Sequence, residues 1–212
     1  DRESIVLQFN GGVYFADPID PWKNSVVISE DWRLMDGERL YDIKKDPTQS
    51  KDIASENPDA VAALRKEYEP WWQSVSSQFT PVRIDVGNPN ENPTELCSQD
   101  WYMEKGNPPW NFRQIKKLPL VTGPWMVDVK KAGQYRITLR QFPKVADKPI
   151  VAVRAKIEIA GKTIESTVVE GSKGIVFEMD LPAGPTELVT YLYNEKDEVG
   201  GAYFTEVEAL ND

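Results

Sequence analysis

The sequence predicts an α+β chain in two parts: a small antiparallel sheet with one C-terminal helix, then an all-β domain of sandwich or jelly-roll type. Three observations lead there. Short β-type runs broken by Gly, Pro and Asp fill the beginning of the chain. One amphipathic segment starts at Pro58. Beyond Phe79 the apolar period changes from that of a helix to the alternation of strands.

In the first part, runs at 4–9, 25–28 and 38–43 are separated by Gly11, Gly12, Pro18, Pro21 and the pair Asp36-Gly37. Gly accepts positive φ without strain, so Asp36-Gly37 suits a tight hairpin turn and pairs 32–35 with 38–43. The helix is expected over 58–77. Asn57 is placed to cap it, Pro58 suits the first helical position, and Asp59 suits the positive end of the dipole. Val61, Leu64, Tyr68, Trp71 or Trp72, and Val75 form an apolar stripe to lie on the sheet. Pro70 is expected to kink the helix or restart it, because its ring clashes with the carbonyl four residues back.

This gives domains at 1–78 and 79–212. In the second, strands are expected at 82–86, 125–129, 134–139, 150–159, 163–169, 175–179, 187–193 and 203–207, with no helix. The stretch 87–93, rich in Asn and Pro, reads as an ordered surface loop.

Composition sets the limits on function. Of 212 residues, 40% are hydrophobic and 28% charged, as in ordered globular chains. A net charge of -9 argues against nucleic acid and anionic membrane as partners, since affinity for phosphate backbones rests on Lys and Arg. Lys44-Lys45 and Lys130-Lys131 are too short to make a basic patch. No run approaches the roughly 20 apolar residues of a membrane span. The start, Asp1-Arg2-Glu3-Ser4, has no signal pattern and reads as a mature product or an excised piece. Cys97 is the single cysteine, so no internal disulfide forms. There is no His, which excludes a His-dependent triad or zinc site within the chain.

Trp22-Lys23-Asn24-Ser25, Trp32-Arg33-Leu34, Glu38-Arg39-Leu40-Tyr41-Asp42-Ile43 and Asp46-Pro47 follow one another here, and then come Ala54, Asn57-Pro58, Val61, Leu64 and Trp71-Trp72. In order and spacing this resembles the closing segment of arylsulfatase-type sulfatases, over roughly residues 1–77. Asp100-Trp101, Pro109-Trp110-Asn111, Gly123-Pro124-Trp125, Ala132-Gly133-Gln134-Tyr135 and Leu139-Arg140-Gln141-Phe142-Pro143 resemble the β-rich extension of some bacterial members.

The resemblance implies a non-catalytic role. The family's nucleophile motif is Cys or Ser, any residue, Pro, any residue, Arg, and its Cys or Ser becomes formylglycine. Around Cys97, Gln99 stands in place of Pro and Trp101 in place of Arg, so Cys97 is not that nucleophile and no catalytic residue carries over. Formylglycine and a divalent cation, calcium, are expected only in the family's larger N-terminal catalytic domain, which would be the partner of this chain. By the same analogy the location is periplasmic or secreted.

Several residue sets invite a ligand. Trp32, Trp71 and Trp72 fall on a strand and an apolar stripe and read as core. Asp17, Asp20, Asp31, Asp36, Asp42 and Asp46 match calcium ligands in number alone, lacking the order of a calcium loop, and read as solvated turns. Trp101, Tyr102, Trp110 and Phe112 lie among Gly106-Asn107-Pro108-Pro109, a loop setting where aromatics can stack on sugars. Asp100, Asn111 and Arg113 are placed to bind hydroxyls or sulfate. The candidate ligand-binding set is therefore Asp100, Trp101, Trp110, Asn111 and Arg113, for a sulfated carbohydrate. The bland alternative is that these aromatics cover the end of the sheets or meet the catalytic domain. Two functions stand: the closing portion of a sulfatase that helps position substrate, or a free-standing carbohydrate-binding or interaction module.

Overall fold

A computed structural model of the chain describes residues 4–9, 19–103 and 105–210. Among them the chain is mostly β, with three sheets and a single helix longer than one turn. The described residues divide into two compact units, one holding 4–9 and 19–80, the other 81–103 and 105–210. Gly11, Gly12, Asp17 and Pro18 lie outside the described residues.

In the first unit, β1 (Ser4–Gln8), β2 (Ser25–Ser29), β3 (Trp32–Met35) and β4 (Arg39–Asp42) form an antiparallel sheet in that order. Asp36 and Gly37 take φ of 54 and 70, the left-handed pair that a tight hairpin needs. The register aligns Val6, Val27, Leu34 and Leu40 in one row. That row meets Leu64 and Tyr68 of α1 (Pro58–Ser76) in the core, with Trp22, Trp32, Trp71 and Trp72 packed around it. Trp22 stacks on Tyr68 at 3.6 Å between ring centroids, and its backbone N–H donates to the Tyr68 hydroxyl, which donates to Gln8.

Two helix expectations are corrected. Asn57 does not cap with its side chain: its Nδ2 donates back to the Ile53 carbonyl, 3.0 Å away. Nor does α1 restart at Pro70; it runs through without a break. Pro70 and Lys66, whose carbonyl loses its amide partner, both lie exposed, where water takes the place of that partner.

Among the described residues, no helix of this unit lies on the other face of the sheet. Alternation places Ile5 and Leu7, with their register partners Ile28 and Val26 and then Arg33, Met35 and Tyr41, on the side away from α1. Ile5 is 50% exposed, Leu7 53%, and Phe9, just past the strand, 73%.

The second unit has two sheets that share one core. The larger runs β10 (Lys162–Thr167), β9 (Arg154–Ile159), β12 (Gly184–Tyr193), β7 (Trp125–Val129), β5 (Ile84–Val86), with β13 (Val199–Gly200) on β12. The smaller runs β11 (Ile175–Leu181), β8 (Gly133–Arg140), β14 (Phe204–Ala209), β6 (Thr94–Cys97). Only β5 and β7 pair in parallel. Trp125, Val127, Ile157 and Leu188 of the first meet Tyr135, Ile137, Leu139, Phe177 and Val207 of the second. Along β11 alternate residues enter this core.

The run expected at 150–159 is a strand only over Arg154–Ile159. Before it, Ile150 N–H donates to Ser172 and Val151 to the Gln141 side chain, neither on a ladder with β9, and only Val153, donating to Tyr193 at the end of β12, continues toward β9's partner. Strands β6 and β13 were unforeseen, being too short to show alternation. So was the single turn α2 (Phe112–Ile115) in a unit expected to have no helix.

Candidate functional site

The segment joining β6 to β7 carries all five predicted ligand residues, and the structure separates them. Trp101 is fully buried. Its ring meets Trp125 edge-on at 5.5 Å and Tyr203 at 5.9 Å, so it is a core residue and offers no face to a ligand. That corrects the expectation of a binding role. The setting that looked like a loop is closed over by Gly123 and Gly201. A Cβ at Gly201 would come within 2.6 Å of the Trp101 ring, so only glycine lets the chain pass so close.

Trp110 has the opposite fate, 59% exposed. It borders a cleft of about 240 Å³, whose walls include Cys97, Gln99, Asn111 and Phe112, with Ile115 and Phe204 behind. The loop presenting it is pinned. The buried Ser98 hydroxyl donates to the Pro109 carbonyl at 2.6 Å, and the Trp110 N–H donates to Gln114 Oε1 at 3.0 Å. Asn111 caps α2, its Oδ1 accepting from Gln114 N–H at 3.0 Å.

The remaining two lie outside the cleft lining. Asp100 is exposed and accepts from the Cys97 thiol at 3.3 Å. Arg113 is exposed on α2 and forms no ion pair among the described residues. Sequence reasoning missed the cations beside Phe112: Lys116 Nζ lies 4.8 Å and Lys148 Nζ 5.8 Å from its ring centroid, and Lys148 also lies 5.3 Å from Phe142. Lys116 sits four residues after Phe112, a helical spacing that could have signalled the contact; Lys148, distant in sequence, left no such signal.

Burial pushes the Cys97 thiol up, and the Asp100 charge adds to it. Cys97 is held as a neutral thiol, a poor nucleophile. Among the described residues no group of carboxylate, Cys and His side chains is arranged to hold a metal ion. Among the described residues, the acids weighed for calcium are engaged by protein groups. Asp46 accepts from Thr48, Ser50 and the Lys51 N–H, Asp42 from the backbone of Lys44 and Lys45, and Asp36 from Arg39. The Lys51 amide, above all, holds the Asp46 carboxyl below the usual range. No helix among the described residues is long and apolar enough to cross a membrane.

No family model matches the chain, and no curated protein matches it. Among solved structures, it is similar to a ruminal GH26 endo-β-1,4-mannanase, with 17% identity and a TM-score of 0.37, over 57% of this chain and 26% of that one. The chain thus corresponds to about a quarter of that protein's length, and a likeness at this level decides neither fold nor activity.

Proposed function

We propose that this chain is the non-catalytic C-terminal portion of a sulfatase, a sulfuric ester hydrolase. Its first unit completes the fold of the catalytic domain, and its second, a β-sandwich with jelly-roll character, helps position the substrate. The observation that carries the reading is the exposed edge of the β1–β4 sheet on the side away from α1, among the described residues. A four-stranded sheet needs cover on its apolar side, and α1 supplies it on one side only. On the other, Ile5, Leu7 and Phe9 stand exposed while Tyr41 is buried, and among the described residues the buried Nε of Arg33 has no acceptor. Apolar side chains beside an unmatched donor are what a surface shows when another domain normally covers it.

The order of elements supports the same reading. The WRL strand, the hairpin, the LYD strand, the Asp46-Pro47 turn and the Asn57-Pro58 helix start follow one another as in the sulfatase closing segment. On this reading calcium and formylglycine belong to the catalytic domain, sulfated carbohydrate is the substrate class, and the location is periplasmic or secreted. The second reading, a free-standing carbohydrate-binding module, draws on the Trp110 cleft alone and leaves the first unit without a purpose.

The test is hydrolysis of 4-nitrophenyl sulfate by this chain and by the product of the complete reading frame that encodes it. The chain alone is expected to be inactive and the longer product active. Turnover by the chain alone would overturn the reading.

A further inference from the structure

We infer that the Trp110 cleft binds an anionic saccharide, the indole stacking on a sugar ring while Lys116 and Lys148 face its sulfate or carboxylate. This is a property of the second unit and does not depend on the sulfatase reading.

Trp110 leaves more than half of a large apolar side chain in water, which nothing in its own fold requires. Its loop is fixed by the Ser98, Gln114 and Asn111 hydrogen bonds, so the ring is presented already ordered and little conformational entropy remains to be lost on binding. With the Asn111 side-chain carbonyl committed to Gln114, its amide N–H groups are left for a ligand hydroxyl. Neither Lys116 nor Lys148 has a carboxylate partner among the described residues. Both ammonium groups are instead gathered at Phe112, on the cleft wall. An aromatic plate, two cations and an amide fit a ring with apolar and hydroxylated faces and one or two anionic groups.

The experiment titrates this chain with a chondroitin sulfate tetrasaccharide, a hyaluronan tetrasaccharide, cellotetraose and a single-stranded oligonucleotide, following tryptophan fluorescence at low salt. At least one anionic saccharide is expected to saturate, with cellotetraose at least tenfold weaker. Comparing the two anionic probes tells whether sulfate or carboxylate is the preferred group. Trp110→Ala, and separately Lys116→Ala with Lys148→Ala, are each expected to weaken binding about tenfold or more, and only the lysine variant to flatten the salt dependence. These side chains are exposed, so an unchanged thermal midpoint checks that the variants fold. The inference is overturned by no saturable binding of either anionic probe, by equal binding of cellotetraose or the oligonucleotide, or by full affinity in either variant. The outcome is independent of sulfate-ester hydrolysis, so failure here leaves that reading to its own test.

Discussion

Trp101 and Trp110 stand nine residues apart in the same Gly- and Pro-rich stretch, yet one is sealed in the core and the other faces water. Nothing local distinguishes them. The burial of Trp101 is decided by Trp125, Tyr203 and Gly201, which reach it from other strands and loops. This is why the candidate site was legible only in part: Trp110 and Asn111 border the cleft, whereas Trp101 does not and Lys148 arrives from a loop far along the chain. A similar long-range effect acts on Glu206 of β14. Burial pushes its carboxyl up, but the Lys144 hydrogen bond at 2.9 Å and the Arg140 charge outweigh that and hold it below its ordinary 4.5. A depressed folded value means the stabilisation is complete above the unfolded value and is lost as pH falls through the folded one. Glu206→Gln is therefore expected to lower the thermal midpoint at pH 7, the gap to the parent closing as pH drops below about 4.5. A gap of the same size at both ends of that range would contradict the assignment.

At the level of elements, period and turn chemistry carried most of the information. The strand Trp32–Met35 and the strand Trp125–Val129 have the bounds their patterns imply: Asp31 and Asp36 bound the first, and Pro124 opens the second. Ile150 and Val151 fail to join a ladder because their amides are taken by Ser172 and the Gln141 side chain, partners that a local pattern does not reveal. In α1 the stripe of Leu64 and Tyr68 overrides proline: burying it against Val27, Leu34 and Leu40 keeps the helix whole through Pro70. The helix still bears the cost, roughly 3 kcal/mol for proline against alanine in a helix interior. Pro70→Ala is accordingly expected to stabilise the first unit by about 1–3 kcal/mol in urea unfolding. An unchanged or lowered midpoint would mean that the backbone at Pro70 is not helical.

For the molecule as a whole, two cores of unequal size set the argument. The second unit closes two sheets on each other and buries aromatic and branched side chains from both. The first rests on a handful of residues between one sheet face and one helix and leaves the opposite face with Ile5, Leu7 and Phe9 in water. Apolar side chains left in water beside a small core suit a surface that another domain covers, and on the proposed reading that domain is the catalytic one of a sulfatase. The chain has no His, and its Cys97 lies in a sequence without the Pro and Arg of the nucleophile motif; on the proposed reading the chemistry belongs to that domain. The most direct measurement is mass spectrometry of the complete protein that contains this chain, isolated from its native cells. The account predicts a Cys- or Ser-x-Pro-x-Arg segment on the N-terminal side whose Cys or Ser has been converted to formylglycine. A complete protein with no such segment, or with the segment unconverted, would contradict it.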